Sequence, residues 1–176
     1  RAILAAAGWE ENDLGLWEQT IDDDLVTLEV TIRTSNSPVF ASMVDKIATA
    51  WEAAGIAVAT EQYEQTGLVQ SVIRPRDFEV LLFGLDMSRS YDLYPFWHSS
   101  QQDDPGLNVA QYANVEVDNL LEDARIIQDD TERIAALTAA SDIIATETPA
   151  VLLFQPELTY VIKDGVTTCM YQEYYT

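Results

Sequence analysis

The chain holds one cysteine and one histidine in 176 residues. Cys169, being alone, permits no internal disulfide and no cysteine metal cluster, which leaves the redox compartment open. His98 alone excludes a histidine-built metal cluster within the chain, and a Ser-His-Asp arrangement would have to use it. Ser99 and Ser100 beside it are no evidence for one, because sequence neighbours rarely present facing side chains; a structural histidine is the plainer reading. Bases are scarce as well. Nine stand against 30 acids, giving a formal charge of -21, and only Lys46 and Lys163 are lysines. Such a field repels phosphate backbones and anionic lipid headgroups, so nucleic acid is excluded as a natural partner. Runs such as Asp22-Asp23-Asp24 and Asp103-Asp104 read as solvated or salt-adapted surface rather than as a cation site. No apolar run approaches the roughly 18 residues that span a bilayer. The opening RAILAAAGW is no charged-then-apolar leader and resembles the middle of a helix, so it says little about compartment.

Catalytic signatures are missing too. The stretch around GLWEQT has neither the spacing nor the lysine of a phosphate-binding loop. Paired carboxylates for glycoside chemistry can be drawn from 30 acids in so many ways that the signal has no specificity. No catalytic residue, metal ligand or cofactor site is assigned, and the chain is read as a binding protein rather than an enzyme.

What is present is alternation of helix and strand signals over one domain, residues 1–176, with no repeat, low-complexity tract or linker. LVTLEVTIR, 25–33, alternates as a half-buried strand does. Ser37 and Pro38 cap and start a helix with Phe40, Met43, Val44, Ile47, Trp51 and Ala54 on one face, ended by Gly55. IAVATEQY, 56–63, reads as the next strand, and Thr66 as the cap of a short helix through Ile73. FEVLLFGL, 78–85, is continuous enough for a central strand covered on both faces. Asn114 caps a helix bearing Val117, Leu120, Leu121, Ala124 and Ile127 inward. A second helix, from about 131 to 147, carries Ile134, Leu137, Ser141 and Ile144 inward. AVLLFQ, 150–155, and LTYVI, 158–162, complete a mixed sheet of about five strands flanked by helices, an α/β domain.

The segment SRSYDLYPFWHSSQ, 88–101, fits neither period. It follows the candidate central strand, where loops of α/β sheets meet ligands. Tyr91 and Tyr94 supply flat walls there and Asp92 an acceptor for a cationic group, while Phe96 and Trp97 read better as plugs of the domain's own core. Asn108 and Tyr112 lie at the loop's return, where turn-capping and packing compete with ligand contact.

These residues carry a resemblance. AILAAAGW is similar to the A-x-x-L-L-x-x-A-G-W helix end of the family 5 extracellular solute-binding proteins, the peptide, nickel and oligosaccharide receptors of ABC importers. SPVFASMVDKIATAWEAAGIAV resembles their helix leading to a G-I-x-V strand, and RPRDFEVLLFGLD their R-x-Y-D-x-x-L-x-G strand. DLYPFWHSSQ resembles D-P-Y-x-F-W-H-S-S-Q, and GLNVAQYANVEVDNLLEDAR the N-x-x-x-Y-x-N-x-x-x-D-x-L-L helix start. ERIAALTAASDIIATETPAVLLFQPELTYVI matches the closing helix, the E-x-P strand and the tyrosine strand. The ordered blocks cover nearly the whole chain.

The resemblance implies most of the second, C-terminal lobe of a larger two-lobed receptor, with a periplasmic-binding-protein-like type II fold. It implies capture of a peptide-like ligand in an interlobe cleft, outside the cytoplasm in the periplasm or on a cell-surface lipoprotein. Delivery is to ABC permease subunits, and the N-terminal lobe completes the cleft. Asp92 then matches the second acid of a D-P-D-P-Y loop and suits a ligand's α-amino group, with Ser90 where the first acid usually stands. Ser90, Tyr91, Asp92, Tyr94, Asn108 and Tyr112 are the expected ligand-binding residues. An oligosaccharide or metal-chelate receptor of the same family, or a peptide-sensing module without transport, is the alternative.

Overall fold

The computed structural model describes residues 1–85, 92–155 and 161. After helix α1, Ala2–Ala6, a small antiparallel sheet is built from β1, Glu10–Glu11, β2, Trp17–Ile21, and β3, Asp24–Thr27, in the order β1-β2-β3. The alternating run 25–33 does not form one strand. It divides at Leu28, whose N–H meets Trp17 O at 2.7 Å while its own carbonyl accepts from Ala57 N at 2.9 Å. Beyond that point the chain enters a second sheet as β4, Glu29–Ser35. Alternation fixes which side chains share a face but says nothing about the partner strand, so one period serves two sheets.

The second sheet is parallel, in the order β5-β4-β6, with β5 spanning Ala57–Tyr63 and β6 Val80–Leu81. Its register runs from Glu29 opposite Ala57 to Ser35 opposite Tyr63, with Ile32 and Arg33 opposite Val80 and Leu81. The connection from β4 to β5 is helix α2, Pro38–Ala53. Ser37 caps it, its Oγ accepting from Phe40 N at 3.4 Å. Parallel neighbours need such a crossover, and its apolar face covers the sheet. Ile32, Val44 and Leu82 form that buried seam with Phe40, Met43 and Trp51 packed around it, each large side chain stabilising by roughly 1.5–3 kcal/mol. The helix ends at Gly55, φ 92°, where a Cβ would lie 2.5 Å from Gly15 O and 2.9 Å from the Trp17 indole nitrogen. The close approach lets Trp17 Nε1 donate to Ala54 O at 2.7 Å and tie the two sheets together.

A short helix α3, Gln65–Leu68, and a π-helical turn, Val69–Ile73, follow β5. Glu64, not Thr66, is the cap, accepting from Thr66 N at 3.0 Å. Leu68, Val72 and Ile73 bury a second cluster with Leu81 and Val109. Val80 packs in the α2 cluster and Leu81 in this one, so β6 is covered on both faces as the apolar run 78–85 predicts. Only two of its residues pair, however, and among the described residues β6 is an edge strand.

Helices α4, Tyr94–Trp97, α5, Val115–Ile126, and α6, Asp130–Glu147, complete the described chain. The hairpin α5–α6 closes over Tyr112, Val117, Leu121, Ala140 and Ile144. Two residues expected inward on α6 are not: Ile134 is 60% exposed and Ser141 returns its hydroxyl to Leu137 O at 2.9 Å. The inward row is instead set by Ala140 and Ile144, whose small and branched side chains allow α5 to approach. AVLLFQ, 150–155, forms no strand, and Val151 and Leu152 stand 76% and 87% exposed. The expected strand 158–162 lies outside the described residues apart from Val161.

Candidate functional site

The loop read as the ligand-facing segment is held by one face of α5. Asp118, Glu122 and Arg125 stand at i, i+4 and i+7, a polar row beside the buried row Val117, Leu121 and Ala124. Asp118 takes Ser99 N at 2.9 Å on Oδ1 and Ser99 Oγ at 2.5 Å on Oδ2. Glu122 Oε1 lies 3.4 Å from His98 Nε2 without hydrogen-bond geometry. Arg125 grips Asp92 through Nε, at 3.1 Å from Oδ2, and Nη2, at 2.5 Å. The Asp92 hydrogen bonds are the leading cause raising the Arg125 guanidinium above its ordinary value, ahead of the opposing desolvation.

Tyr94 is the middle layer of this arrangement. Its ring stacks on His98, centroids 4.0 Å apart and planes 21° from parallel, and the Arg125 guanidinium carbon lies 3.7 Å from the ring centre. Two groups that close to one ring centre take opposite faces. The Tyr94 hydroxyl is 3.2 Å from Ser100 Oγ. His98 is buried, and its Nδ1 accepts from Ser100 N at 3.0 Å, which leaves the proton of the neutral ring on Nε2. The lone histidine is thus a loop organiser, as its isolation in the sequence suggests.

Asn108 is fully buried and spends its amide on the loop's return: Nδ2 donates to His98 O and Tyr112 O, and Oδ1 accepts from Tyr112 N at 3.1 Å. Tyr112 is buried in the hairpin core, edge-on to Trp97, with its hydroxyl donating to Glu147 Oε2 at 2.5 Å. Burial first, then that hydrogen bond, pushes the Tyr112 phenol well up from its ordinary value. Of the expected ligand-binding residues, Asp92 and Tyr94 stand together at the partly open end of the loop, and Asn108 and Tyr112 lie inside its base. Ser90 and Tyr91 are outside the described residues. Trp97 packs in the hairpin cluster, in line with the core reading of that side chain.

Sequence reasoning missed the α5 row, although its i, i+4, i+7 spacing next to the apolar stripe was visible. It also missed Arg76, φ 58°, which donates to Gln102 O at 2.9 Å and Gly106 O at 2.7 Å and so fastens the loop to the sheet layer. Among the described residues no group of three or more His, Cys, Asp or Glu side chains is placed to hold a metal ion, and no helix is long and apolar enough to cross a membrane.

Proteins similar to this chain are binding proteins. The oligopeptide-binding protein AppA of Bacillus subtilis is 28% identical over 158 residues, which cover 89% of this chain and 28% of AppA. The structure of AppA in complex with a nonapeptide superposes with a TM-score of 0.74 at 29% identity, over 84% of this chain and 29% of that one. Two further structures share the fold at lower identity. They are the oligopeptide binding protein from Thermus thermophilus with a pentapeptide, TM-score 0.71 at 20% identity, and NikZ from Campylobacter jejuni with Ni(L-His), TM-score 0.70 at 21%. Each is matched over 84% of this chain, covering 27% of the former and 29% of the latter. No protein-family model matches the chain. The resemblance to the family 5 extracellular solute-binding proteins nevertheless holds in sequence and in structure, and the fold is periplasmic-binding-protein-like, type II. The chain spans about 28% of the length of the curated relative it matches.

Proposed function

We propose that residues 1–176 are most of the C-terminal ligand-binding lobe of a two-lobed receptor, which captures a peptide-like ligand between its lobes outside the cytoplasm and delivers it to ABC permease subunits. The observation that carries this reading is the match to peptide-bound AppA, which takes in 84% of this chain but only 29% of that receptor. The uncovered apolar run at 150–155 supports it, since a segment of that composition calls for a covering surface, which the N-terminal lobe would supply. Binding rather than catalysis is the function. Asp92 offers a carboxylate to the ligand's amine and Tyr94 a flat wall, with Ser90 and Tyr91 on the same loop and Asn108 and Tyr112 fixing its return.

Calorimetry on the receptor that carries these residues tests this, using mixed short peptides, oligosaccharides and a nickel–histidine chelate. Peptides bind, and Asp92→Asn weakens them at least tenfold, about 1.4 kcal/mol. Peptide binding unchanged in Asp92→Asn removes the site assignment and leaves transport standing. Binding of only sugars or chelates removes the peptide reading.

A further inference from the structure

The Asp92 carboxylate and the Tyr94 ring already hold a cation, and the chain itself supplies it. Arg125 meets Asp92 through two nitrogens while its guanidinium carbon lies over the Tyr94 ring. Both halves of this seat are fixed without Arg125. Tyr94 N donates to Asp92 Oδ1 at 3.1 Å, which orients the carboxylate, and His98 backs the ring from its other face. A carboxylate beside an aromatic face is what ammonium and guanidinium groups seek. The occupant is loosely committed, for the side chains of Arg125 and Asp92 are 45% and 31% exposed, and ion pairs in that setting exchange readily with water. A second cation cannot share the seat, because like charges at this range repel.

We propose that Arg125 is a built-in competitor at a cation subsite made by Asp92 and Tyr94: a ligand's ammonium or guanidinium group enters by displacing it, and Arg125 sets the threshold for entry. This rests on the ligand-binding reading of the loop. It predicts selection against neutral and weakly basic ligands, since only a group that carries a full positive charge at the binding pH can replace the Arg125 guanidinium beside the Asp92 carboxylate.

The test titrates the receptor and its Arg125→Gln variant with small probes, which keeps it separate from peptide transport. N-acetyl-arginine amide presents a guanidinium alone, alanine amide an ammonium alone, and N-acetyl-citrulline amide is the neutral control. Arg125→Gln binds one or both cationic probes roughly five- to tenfold tighter than the native receptor, with the citrulline probe unchanged; which probe gains identifies the source of the cation. Arg125→Lys, which keeps the charge but not the fork, gives a smaller gain in the same direction, and it serves where the glutamine variant does not fold. In the native receptor the Arg125 Nε–H NMR resonance moves when a cationic probe binds, a response that a purely structural pair would not give. No gain in either variant, or an equal gain for citrulline, overturns the proposal even where peptides bind. A gain for the small cations without peptide binding overturns the peptide reading and leaves the competitor standing.

Discussion

Among the described residues, Tyr112 is the side chain whose ionisation is shifted furthest by the fold. A phenol held above its ordinary value of 10.0 by burial and by Glu147 is neutral in the folded chain at pH values where the unfolded chain is charged. Its contribution is complete below pH 10 and is lost as the pH rises through the folded value. Urea melts at about pH 8 and about pH 11 on the native chain and Tyr112→Phe check this: the native chain loses more stability between the two than the variant does. Such residues were partly legible. Asn108 and Tyr112 fall at the loop's return, where packing competes with contact, and the isolation of His98 points to structure. Arg76 was not legible, because its acceptors at Gln102 and Gly106 lie 26 and 30 positions away and depend on where the loop folds back.

Among elements, α5 carries two kinds of information on adjacent faces, an apolar row for α6 and a charged row for the loop. Its start was readable. Asn114 Oδ1 accepts from Glu116 N at 2.9 Å and Val117 N at 3.2 Å, and its amide reaches Glu147 on α6. Asn114→Ala costs about 1 kcal/mol in chemical denaturation, against about 2–5 kcal/mol for Leu121→Ala, whose side chain is fully buried between the helices. A larger loss at the cap than at Leu121 would show that the Glu147 link, not core packing, holds the hairpin. Helices were read more faithfully than strands because a helix satisfies its backbone internally, whereas a strand is defined by a neighbour. The run 25–33 divides between two sheets and pairs with three strands, 78–85 pairs at two residues, and 150–155 pairs with nothing among the described residues.

For the molecule as a whole, Arg76 and Val109 tie segment 102–109 to the sheet layer, while Leu93, Tyr94 and Trp97 at the start of the same loop pack against the helical hairpin. The acid excess bears on all of it. Mutual repulsion of 30 carboxylates keeps copies apart at neutral pH and fades as the sequence pI of about 4.1 is approached. Light scattering on the 176-residue chain is expected to rise sharply between about pH 5 and pH 4, and Phe154→Asp to delay that rise. A rise unaffected by Phe154→Asp would place the adhesive surface elsewhere. The sequence from Val151 to Phe154 has no charge or proline to interrupt it, and its side chains lie open to solvent. In the 176-residue chain taken alone such a stretch is adhesive between copies, and two guards act against it, Pro149 and Pro156 at its flanks and, at longer range, the electrostatic cloud of the entire chain.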